Sequence, residues 1–384
     1  MKVLIVHNTY QQRGGEDVVV EAESELLRSH GHEVRLFGRS NCDIEALSRV
    51  RLGVRTLWSA SSASELSEIL RKFAPQVVHV HNTFALMSPS VYWAAGTAGV
   101  PVVQTLHNFR LLCPQATFLR NGAVCEDCLG HLPWRGAVRG CYRDSRAQSS
   151  MVAAMLTVHR ALGTWRHKIA RYIALNEFCR SKFIEGGLPP ERIAVKPNFV
   201  ELPAPADSLR EGFLFVGRLS VEKGVAVLGA ASAALPRAVV RVAGVGPQSE
   251  SLAKCAPTVQ LLGSLKKDEV RSAMLHARAL VMPSTCQESF PLALIEAFAN
   301  ALPVIASRVG ALAELVEDGV TGLTFRAGDA EDLASKMRWA DENADAMAAM
   351  GRRARIRYEA AFSGETNYRQ LMTIYADAIE TCSS

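Results

Sequence analysis

Two carboxylates, Glu288 and Glu296, stand eight residues apart around a turn, a proline and an apolar run, Ser289-Phe-Pro-Leu-Ala-Leu-Ile295. Proline presets φ for a first helical turn, where a missing N–H costs nothing. The segment predicts a helix from Pro291 to about Asn300, with Glu288 in the loop before it and Glu296 inside it. The free amides of Ser289 and Phe290 would open that helix, and such a terminus attracts anions. Carboxylates accept from hydroxyls and amides donate to charged oxygens, so the set suits a sugar attached to a diphosphate. The plainer alternative is a buried helix with a solvated Glu at each end.

Further groups fall where short apolar runs end. Gly14-Gly15 precedes a helical stretch, and paired glycines let backbone approach a phosphate or sugar, although tight turns use them too. No GxGxxG is present there, which removes the nicotinamide fingerprint. His79, His81 and Asn82 close one apolar run and His107-Asn108 closes the next. A single histidine at a strand end is most often a satisfied core residue; two His-Asn pairs at neighbouring strand ends point to a site. Gly217-Arg218 and Lys223-Gly224 follow Phe213–Val216, and both cations can reach one anion, Arg as a fork and Lys as a point charge. Two solvated loop cations are the alternative. Gly244-Val-Gly246-Pro247 suits the close approach of a flat base or a phosphate, or simply a turn.

Four of the nine cysteines, Cys113, Cys125, Cys128 and Cys141, follow the spacing C-x11-C-x2-C-x12-C in a glycine-rich stretch of little periodicity. One close pair with two flanking thiols can close a tetrahedral structural zinc site, and a long irregular loop needs something to order it. Unliganded thiols or a redox pair are the alternatives.

The elements that must position these groups alternate. Strands are predicted at Val3–His7, Glu33–Phe37, Val77–Val80, Val102–Leu106, Tyr172–Leu175 and Ile193–Lys196, then at Phe213–Val216, Val239–Ala243, Val259–Leu262, Leu280–Pro283, Val304–Ala306 and Gly322–Phe325. Helical stretches such as Glu16–Ser29, Ser64–Phe73 and Pro89–Ala98 fit between. Alternation of this kind predicts an α/β protein of two doubly wound, Rossmann-like domains. The Pro- and Ala-rich Glu201–Asp207 reads as the linker, placing one domain at 1–199 and the other at 200–362. A helical tail follows, its last part (363–384) expected to pack back on the first domain. Ligands of open parallel sheets bind at the carboxyl ends of the strands, so two such domains facing each other would make a cleft.

With 384 residues, 48% apolar and 21% charged, the chain reads as a soluble globular protein. The apolar start is too short for a signal peptide, and no apolar stretch reaches membrane-spanning length, so a cytoplasmic location is expected. The net charge of +5 does not argue for nucleic acid. From Arg135 to Arg171, however, eight basic residues face one acid, Asp144, among Trp134, Met155, Leu162 and Trp165. A basic amphipathic helix there could lie on an anionic membrane surface; a solvated face on a core helix is the alternative.

Gly14-Gly15, His107, Gly217-Arg218, Lys223-Gly224, Gly244-x-Gly246-Pro247 and Glu288-x7-Glu296 occur in the order and at the spacing of the GT4 family of retaining glycosyltransferases of GT-B fold, which the chain resembles from Lys2 to about Phe325. Leu106–Cys128 also resembles a bacterial branch that builds envelope polysaccharides and lipopolysaccharides. One departure is visible: Ser289 stands where many members have Gly.

The resemblance implies a metal-independent hexosyltransferase with no required cofactor and a UDP- or GDP-linked donor. Arg218 and Lys223 would offset the departing diphosphate, Glu288 would hold the sugar, and His107 would sit beside it. Gly15, Gly217, Gly244, Gly246, Ser289, Phe290, Pro291, Leu292 and Glu296 would bind the rest of the donor. Gly14, His81, Asn82 and Asn108 would face a glycan or lipid-linked acceptor at the inner membrane face. A nucleotide-sugar 2-epimerase of the same architecture and a non-catalytic sugar-nucleotide-binding protein are the alternatives.

Overall fold

The computed structural model describes residues 1–205, 208–256 and 258–383. Ala206 and Asp207 of the predicted linker and Ser384 of the predicted terminal helix lie outside them. The chain forms two compact units, one of Met1–Thr117, Glu126–Asn198 and Asn367–Ser384, the other of Phe118–Cys125 and Phe199–Thr366.

The first unit is built on β1 (Lys2–Thr9), β2 (Glu33–Ser40), β3 (Val77–Asn82) and β4 (Val102–Thr105). A two-stranded hairpin, β5 (Leu119–Arg120) and β6 (Ala123–Val124), interrupts the series and belongs to the second unit. The first sheet resumes with β7 (Arg171–Ala174) and β8 (Ile193–Val195). Its order is β2-β1-β3-β4-β7-β8, all parallel. Continuous apolar runs such as Val3-Leu-Ile-Val6, wholly buried, are what a strand covered on both faces requires. The crossover helix Gly15–Ser29 presents Val19, Val20, Leu26 and Leu27 to the sheet. Leu371, Ile374, Tyr375 and Ala378 of the terminal helix Gly364–Ser383 join the same core.

The second unit carries β9 (Phe213–Val216), β10 (Val240–Ala243), β11 (Val259–Gly263), β12 (Ala279–Met282), β13 (Val304–Ser307) and β14 (Gly322–Phe325), ordered β11-β10-β9-β12-β13-β14 and parallel. The direction of winding reverses between β9 and β12, and crevices at such switch points take ligands in open α/β sheets.

Two expectations need correction. The helix predicted to begin at Pro291 spans Leu292–Ala299, with Pro291 as its N-cap in an extended conformation (ψ 112°). Its opening amides are therefore those of Leu292 and Ala293, and Ser289 and Phe290 lie in the loop before it. The basic stretch from Arg135 to Arg171 is not one helix but three, Trp134–Arg139, Arg146–Ala161 and Thr164–His167. Gly140 (φ 69°) and Gly163 (φ 68°), both left-handed, break it, and Trp165 and Met155 are core residues.

Candidate functional site

In the second unit the site grows from the loops after β9 and β12. Gly217 and Gly244 follow β9 and β10, and a Cβ on Gly244 would lie 1.9 Å from the Gly217 carbonyl oxygen. Only glycine permits that approach, made at a φ of 148°. Arg218 leaves this turn with its side chain 61% exposed and its guanidinium 2.6 Å from Glu222 Oε1. Ser220 Oγ donates to the same oxygen at 2.7 Å.

Lys223 and Glu288 bridge the switch point. Lys223 Nζ donates to Glu288 Oε1 at 2.5 Å, and Ser284 Oγ donates to that oxygen at 2.7 Å. Backbone ties fix both loops: Thr285 N donates to the Glu222 carbonyl at 3.0 Å. Burial pulls the Lys223 pKa down, but the Glu288 carboxylate outweighs it, so the ammonium titrates above its usual range. Burial pushes the neighbouring Cys286 thiol up to about 12, leaving Glu288 as the anion that Lys223 meets. Two cations, one of them largely exposed, thus stand at the carboxyl edge of the sheet, each paired with its own carboxylate, Arg218 with Glu222 and Lys223 with Glu288.

Glu296, half-buried on the helix Leu292–Ala299, has its pKa raised by burial, with Lys267 pulling the other way. A desolvated carboxylate of this kind gains most from neutral hydroxyl donors. Phe290 is buried with its ring edge-on to Phe362 at 6.0 Å, so it anchors the loop through its side chain.

In the first unit Gly14 N donates to Asp17 Oδ2 at 2.8 Å, and His7 Nε2 meets Asp17 Oδ1 at 2.7 Å. This bolts the Gly14-Gly15 turn to β1. Glu16 lies just beyond it. Its carboxylate accepts from Tyr10 Oη at 2.8 Å and from Asn108 Nδ2 at 2.6 Å. Burial raises the Glu16 pKa to about 7 against these bonds and Arg110. Arg110 is itself held over the rings of Phe84 (4.7 Å) and Tyr142 (4.9 Å). Asn82 spends its amide on backbone, donating to the Asn8 carbonyl (2.9 Å) and accepting from Phe84 N (3.0 Å).

His81 was expected to face an acceptor. It is instead 4% exposed and lies behind His107, its Nδ1 2.9 Å from His107 Nε2. The strand alternation that pairs it with His79 turns both rings inward. Sequence reasoning also missed Tyr10, Glu16, Glu23 and Lys196. Glu16 directly follows the glycine pair, and Glu23 sits on the apolar stripe of its helix; either position was a signal.

Glu23, His79 and His81 place ligand-type atoms within 4.8 Å of one another. That cluster does not suit a metal. His79 already uses both nitrogens, on Tyr375 Oη and Thr105 Oγ1 at 2.8 Å each, and the Lys196 ammonium sits 2.8 Å from Glu23. Around the cysteines, Pro114 packs against Gly136 (2.9 Å from a Cβ placed there), and Cys141 N donates to the Gly136 carbonyl at 3.0 Å. Arg139 pairs with Asp127, between Cys125 and Cys128 in sequence. The helix Trp134–Arg139 therefore gathers the segments that carry Cys113, Cys128 and Cys141.

Residues 13–203 match the family described as Glycosyltransferase Family 4, and residues 210–343 match Glycosyl transferases group 1. A sulfoquinovosyl transferase of Arabidopsis thaliana is 26% identical over 353 residues, 90% of this chain and 64% of that protein. A D-inositol 3-phosphate glycosyltransferase of Mycobacterium marinum is 27% identical over 403 residues, 95% of this chain and 82% of that protein. The chain thus spans less than two thirds of the first of these relatives. Among solved structures, sucrose-phosphate synthase of Thermosynechococcus elongatus superposes with a TM-score of 0.73 at 18% identity, covering 98% of both chains. Anabaena HepE, solved with UDP, superposes with a TM-score of 0.70 at 18% identity, covering 98% of this chain and 100% of that one. These likenesses establish the fold as GT-B.

Proposed function

We propose that this chain, matched along both halves by glycosyltransferase families, is a retaining hexosyltransferase that moves a sugar from a nucleotide diphosphate to a glycan or lipid-linked acceptor of a bacterial envelope polysaccharide. The observation that carries the reading is the Lys223–Glu288 pair at the switch point of the second sheet, with Arg218 on the same loop. In this reading the second unit takes the donor. The diphosphate draws Lys223 and Arg218, the sugar hydroxyls donate to Glu288, and the ribose hydroxyls donate to Glu296.

Gly244 and Gly246 let the loops after β9 and β10 pack backbone against backbone, on Gly217 and Leu219, and so shape the rim that would meet the phosphates or base; the opening amides of Leu292 and Ala293 add positive potential. As the bond from the anomeric carbon to the phosphate oxygen breaks, negative charge grows on the diphosphate. Two fixed cations offset it, a preorganised electrostatic role that a divalent ion would otherwise fill. The acceptor oxygen attacks from the same face, and its proton passes to a phosphate oxygen of the leaving group. No enzyme nucleophile is then required. His107, Gly14, Gly15 and Asn108, with Glu16, belong to the first unit, which in this reading takes the acceptor.

Cys113, Cys125, Cys128 and Cys141 would hold a structural zinc that orders their loop, without a part in the reaction. The helix Arg49–Leu57 carries exposed Val50 (77%) and Val54 (62%), with Trp58 (40%) just beyond, beside Arg49, Arg51 and Arg55. No helix among the described residues is long and apolar enough to cross a membrane. This stripe, with exposed Trp134 and Val138, supports a peripheral site on the cytoplasmic leaflet better than the broken basic stretch alone.

A thermal-shift panel of UDP-, GDP-, ADP- and dTDP-sugars tests the donor, because a ligand bound by the folded form alone raises its melting temperature. One base should stand out. A panel in which none shifts the transition would end the reading, and a donor isomerised without acceptor would replace it with an epimerase.

A further inference from the structure

The first unit gathers two arginines around the ring of Tyr142. Arg110, in the loop after β4, has its guanidinium carbon 4.9 Å from that ring centroid and 4.7 Å from the centroid of Phe84. Arg143 lies 5.5 Å from the Tyr142 centroid. Phe84 meets Tyr142 edge-on, with centroids 5.7 Å apart and planes at 83°. All of these residues belong to the first unit. Two guanidiniums on one ring stand within about one Debye length of each other (~10 Å at 0.1 M salt), so they repel. The ring faces attract both and offset that repulsion. The backbone fixes the parts. Tyr142 N donates to Ser149 Oγ at 2.8 Å, on the helix Arg146–Ala161. Phe84 N donates to Asn82 Oδ1 at 3.0 Å, and Arg110 N donates to Asn108 Oδ1 at 3.0 Å. Arg143 and Asp144 both take left-handed φ values, 53° and 51°, which cost free energy for residues with a Cβ. Strain of this kind persists where the surroundings over-determine it, and it concentrates at binding sites. A merely solvated arginine would need neither the shared ring nor the left-handed backbone.

We propose that Arg110 and Arg143, presented by Tyr142 and Phe84, bind a phosphate or diphosphate group carried by the acceptor. Naming the ligand an acceptor rests on the glycosyltransferase reading; the anion site does not. Charge balance carries it. Among the described residues neither guanidinium is paired with a carboxylate. A guanidinium offers a fork of N–H donors that matches phosphate oxygens, and in Arg110 only Nη1 is engaged, on the Pro114 carbonyl oxygen. The carboxylate that Arg110 does influence is Glu16, whose two oxygens are taken by Tyr10 (2.8 Å) and Asn108 (2.6 Å). Burial raises the Glu16 pKa to about 7, so at neutral pH it is in part the neutral acid and supplies only part of a counter-charge. Two cations that the chain leaves unmatched fit a dianion. A phosphate monoester carries about −1.5 to −2 at pH 7, whereas a carboxylate would leave one guanidinium without a partner.

Place and exposure agree with that role. Arg143 is exposed, and Arg110 and Tyr142 are half-buried, so a ligand can reach both cations. Arg110 meets it already ordered, and a stacked guanidinium loses little further freedom on binding. Asn108 joins the arginines to the polar group at the head of the helix Gly15–Ser29. Its Nδ2 donates to Glu16 and its Oδ1 accepts from Arg110 N. A phosphorylated sugar therefore finds hydroxyl partners, Tyr10 and Glu16, beside its phosphate partners, within one unit. Either a lipid diphosphate sugar or a soluble sugar phosphate supplies the group; a neutral glycan does not.

The test is calorimetric titration of the full chain carrying Arg218→Met and Lys223→Met, which removes the donor cations as competing phosphate sites. The probes are inorganic pyrophosphate, geranyl diphosphate and geraniol. A single diphosphate is expected to bind per chain, and geraniol not at all. Adding Arg110→Met or Arg143→Met should weaken the diphosphate by about tenfold or more, as for lost charge-assisted hydrogen bonds. Arg110→Lys, which keeps the charge and loses the fork and the stacking, should fall between. Arg143 is exposed, so its variant tests the site whether or not Arg110→Met disturbs the packing. A background chain that binds no diphosphate overturns the proposal. So does binding that both methionine variants leave within about threefold, or geraniol held as tightly as its diphosphate. Geranyl diphosphate bound more tightly than pyrophosphate assigns the group to a lipid, and equal affinity assigns it to a soluble sugar phosphate. A chain that binds diphosphate here and transfers sugar from no nucleotide donor would instead sink the functional reading and leave the anion site standing.

Discussion

Replacing Lys223 by methionine keeps the length of the aliphatic stem and removes only the ammonium. In the free protein that ammonium lies 2.5 Å from Glu288 Oε1, with side-chain exposures of 29% for Lys223 and 12% for Glu288. The pair is neither a solvated surface bridge nor a fully buried one. Surface pairs contribute up to about 1 kcal/mol and broken buried ones cost about 3–5, so with screening the stability loss should be about 1–2 kcal/mol. For a unit of this size that corresponds to a fall in melting temperature of about 2–8 °C.

The effect on turnover should be larger. An ammonium that meets charge developing only in the transition state behaves like an oxyanion donor, whose removal costs about 2.7–4 kcal/mol, or about 10²–10³ in kcat. The assay is release of nucleoside diphosphate at saturating donor, which separates turnover from binding. Lys254→Met, which removes an exposed cation of the same unit, is the control and should leave kcat unchanged. Adding Glu288→Gln to Lys223→Met should cost less stability than the two singles together, by about 0.5–3 kcal/mol, because each single strands its partner. A Lys223→Met enzyme that keeps kcat within about threefold of the parent, far short of the expected loss, would refute the assignment.

Glu296→Gln should weaken nucleoside diphosphate binding about tenfold or more, as expected for losing charge-assisted hydrogen bonds, measured by calorimetry. Because burial raises the Glu296 pKa in the folded chain and the ionised form accepts from ribose, donor affinity should fall on acidification at a higher pH than for an ordinary carboxyl. The same shift makes its contribution to folding largest at low pH and lost as pH rises through the raised value, so the Gln variant should be no less stable than the parent at neutral pH. Protein purified without added zinc should contain about one zinc per chain, lost together with stability on chelation; a metal-free chain of unchanged melting temperature would exclude the structural zinc. Val50→Ser/Val54→Ser should reduce co-sedimentation with anionic phosphatidylglycerol vesicles, and no binding by the parent would remove the membrane part of the reading.

The architecture was legible because its signal is local. Runs such as Val3–His7, Phe213–Val216 and Val304–Ala306 are short, apolar and bounded by turn formers, and each is a strand in the structure within a residue or two. The placement of Arg218, Lys223 and Glu288 just after strands was legible for a related reason: strand ends are easy to find from the local pattern. What escaped is long-range. Glu23 and Lys196 are far apart in sequence, and nothing local to either announces the other. The basic stretch was misread because charge and apolar content are averages, whereas Gly140 and Gly163 act at single positions by taking left-handed φ values. His81 shows the same limit: alternation gives the side of the strand, and only the packed helix decides whether that side is a pocket or a core.

The two sheets, alike in topology, manage charge in opposite ways, and the difference matches what the proposed reading asks of the second unit. In the second unit Arg218 and Lys223 emerge from exposed or half-exposed loops, where a cation stays charged and can meet a diphosphate that arrives and leaves. Their present partners, Glu222 and Glu288, are single carboxylates that a ligand can outbid or recruit. In the first unit the charges of Glu23 and Lys196 are sealed in the core, where no ligand reaches and where a proton cannot be exchanged cheaply. A charge that must respond belongs at the rim; a charge that must stay fixed belongs inside. On that logic Lys223→Met should slow every donor alike, because the diphosphate is common to them all, and a loss of rate confined to one sugar would count against the proposed role of the ammonium.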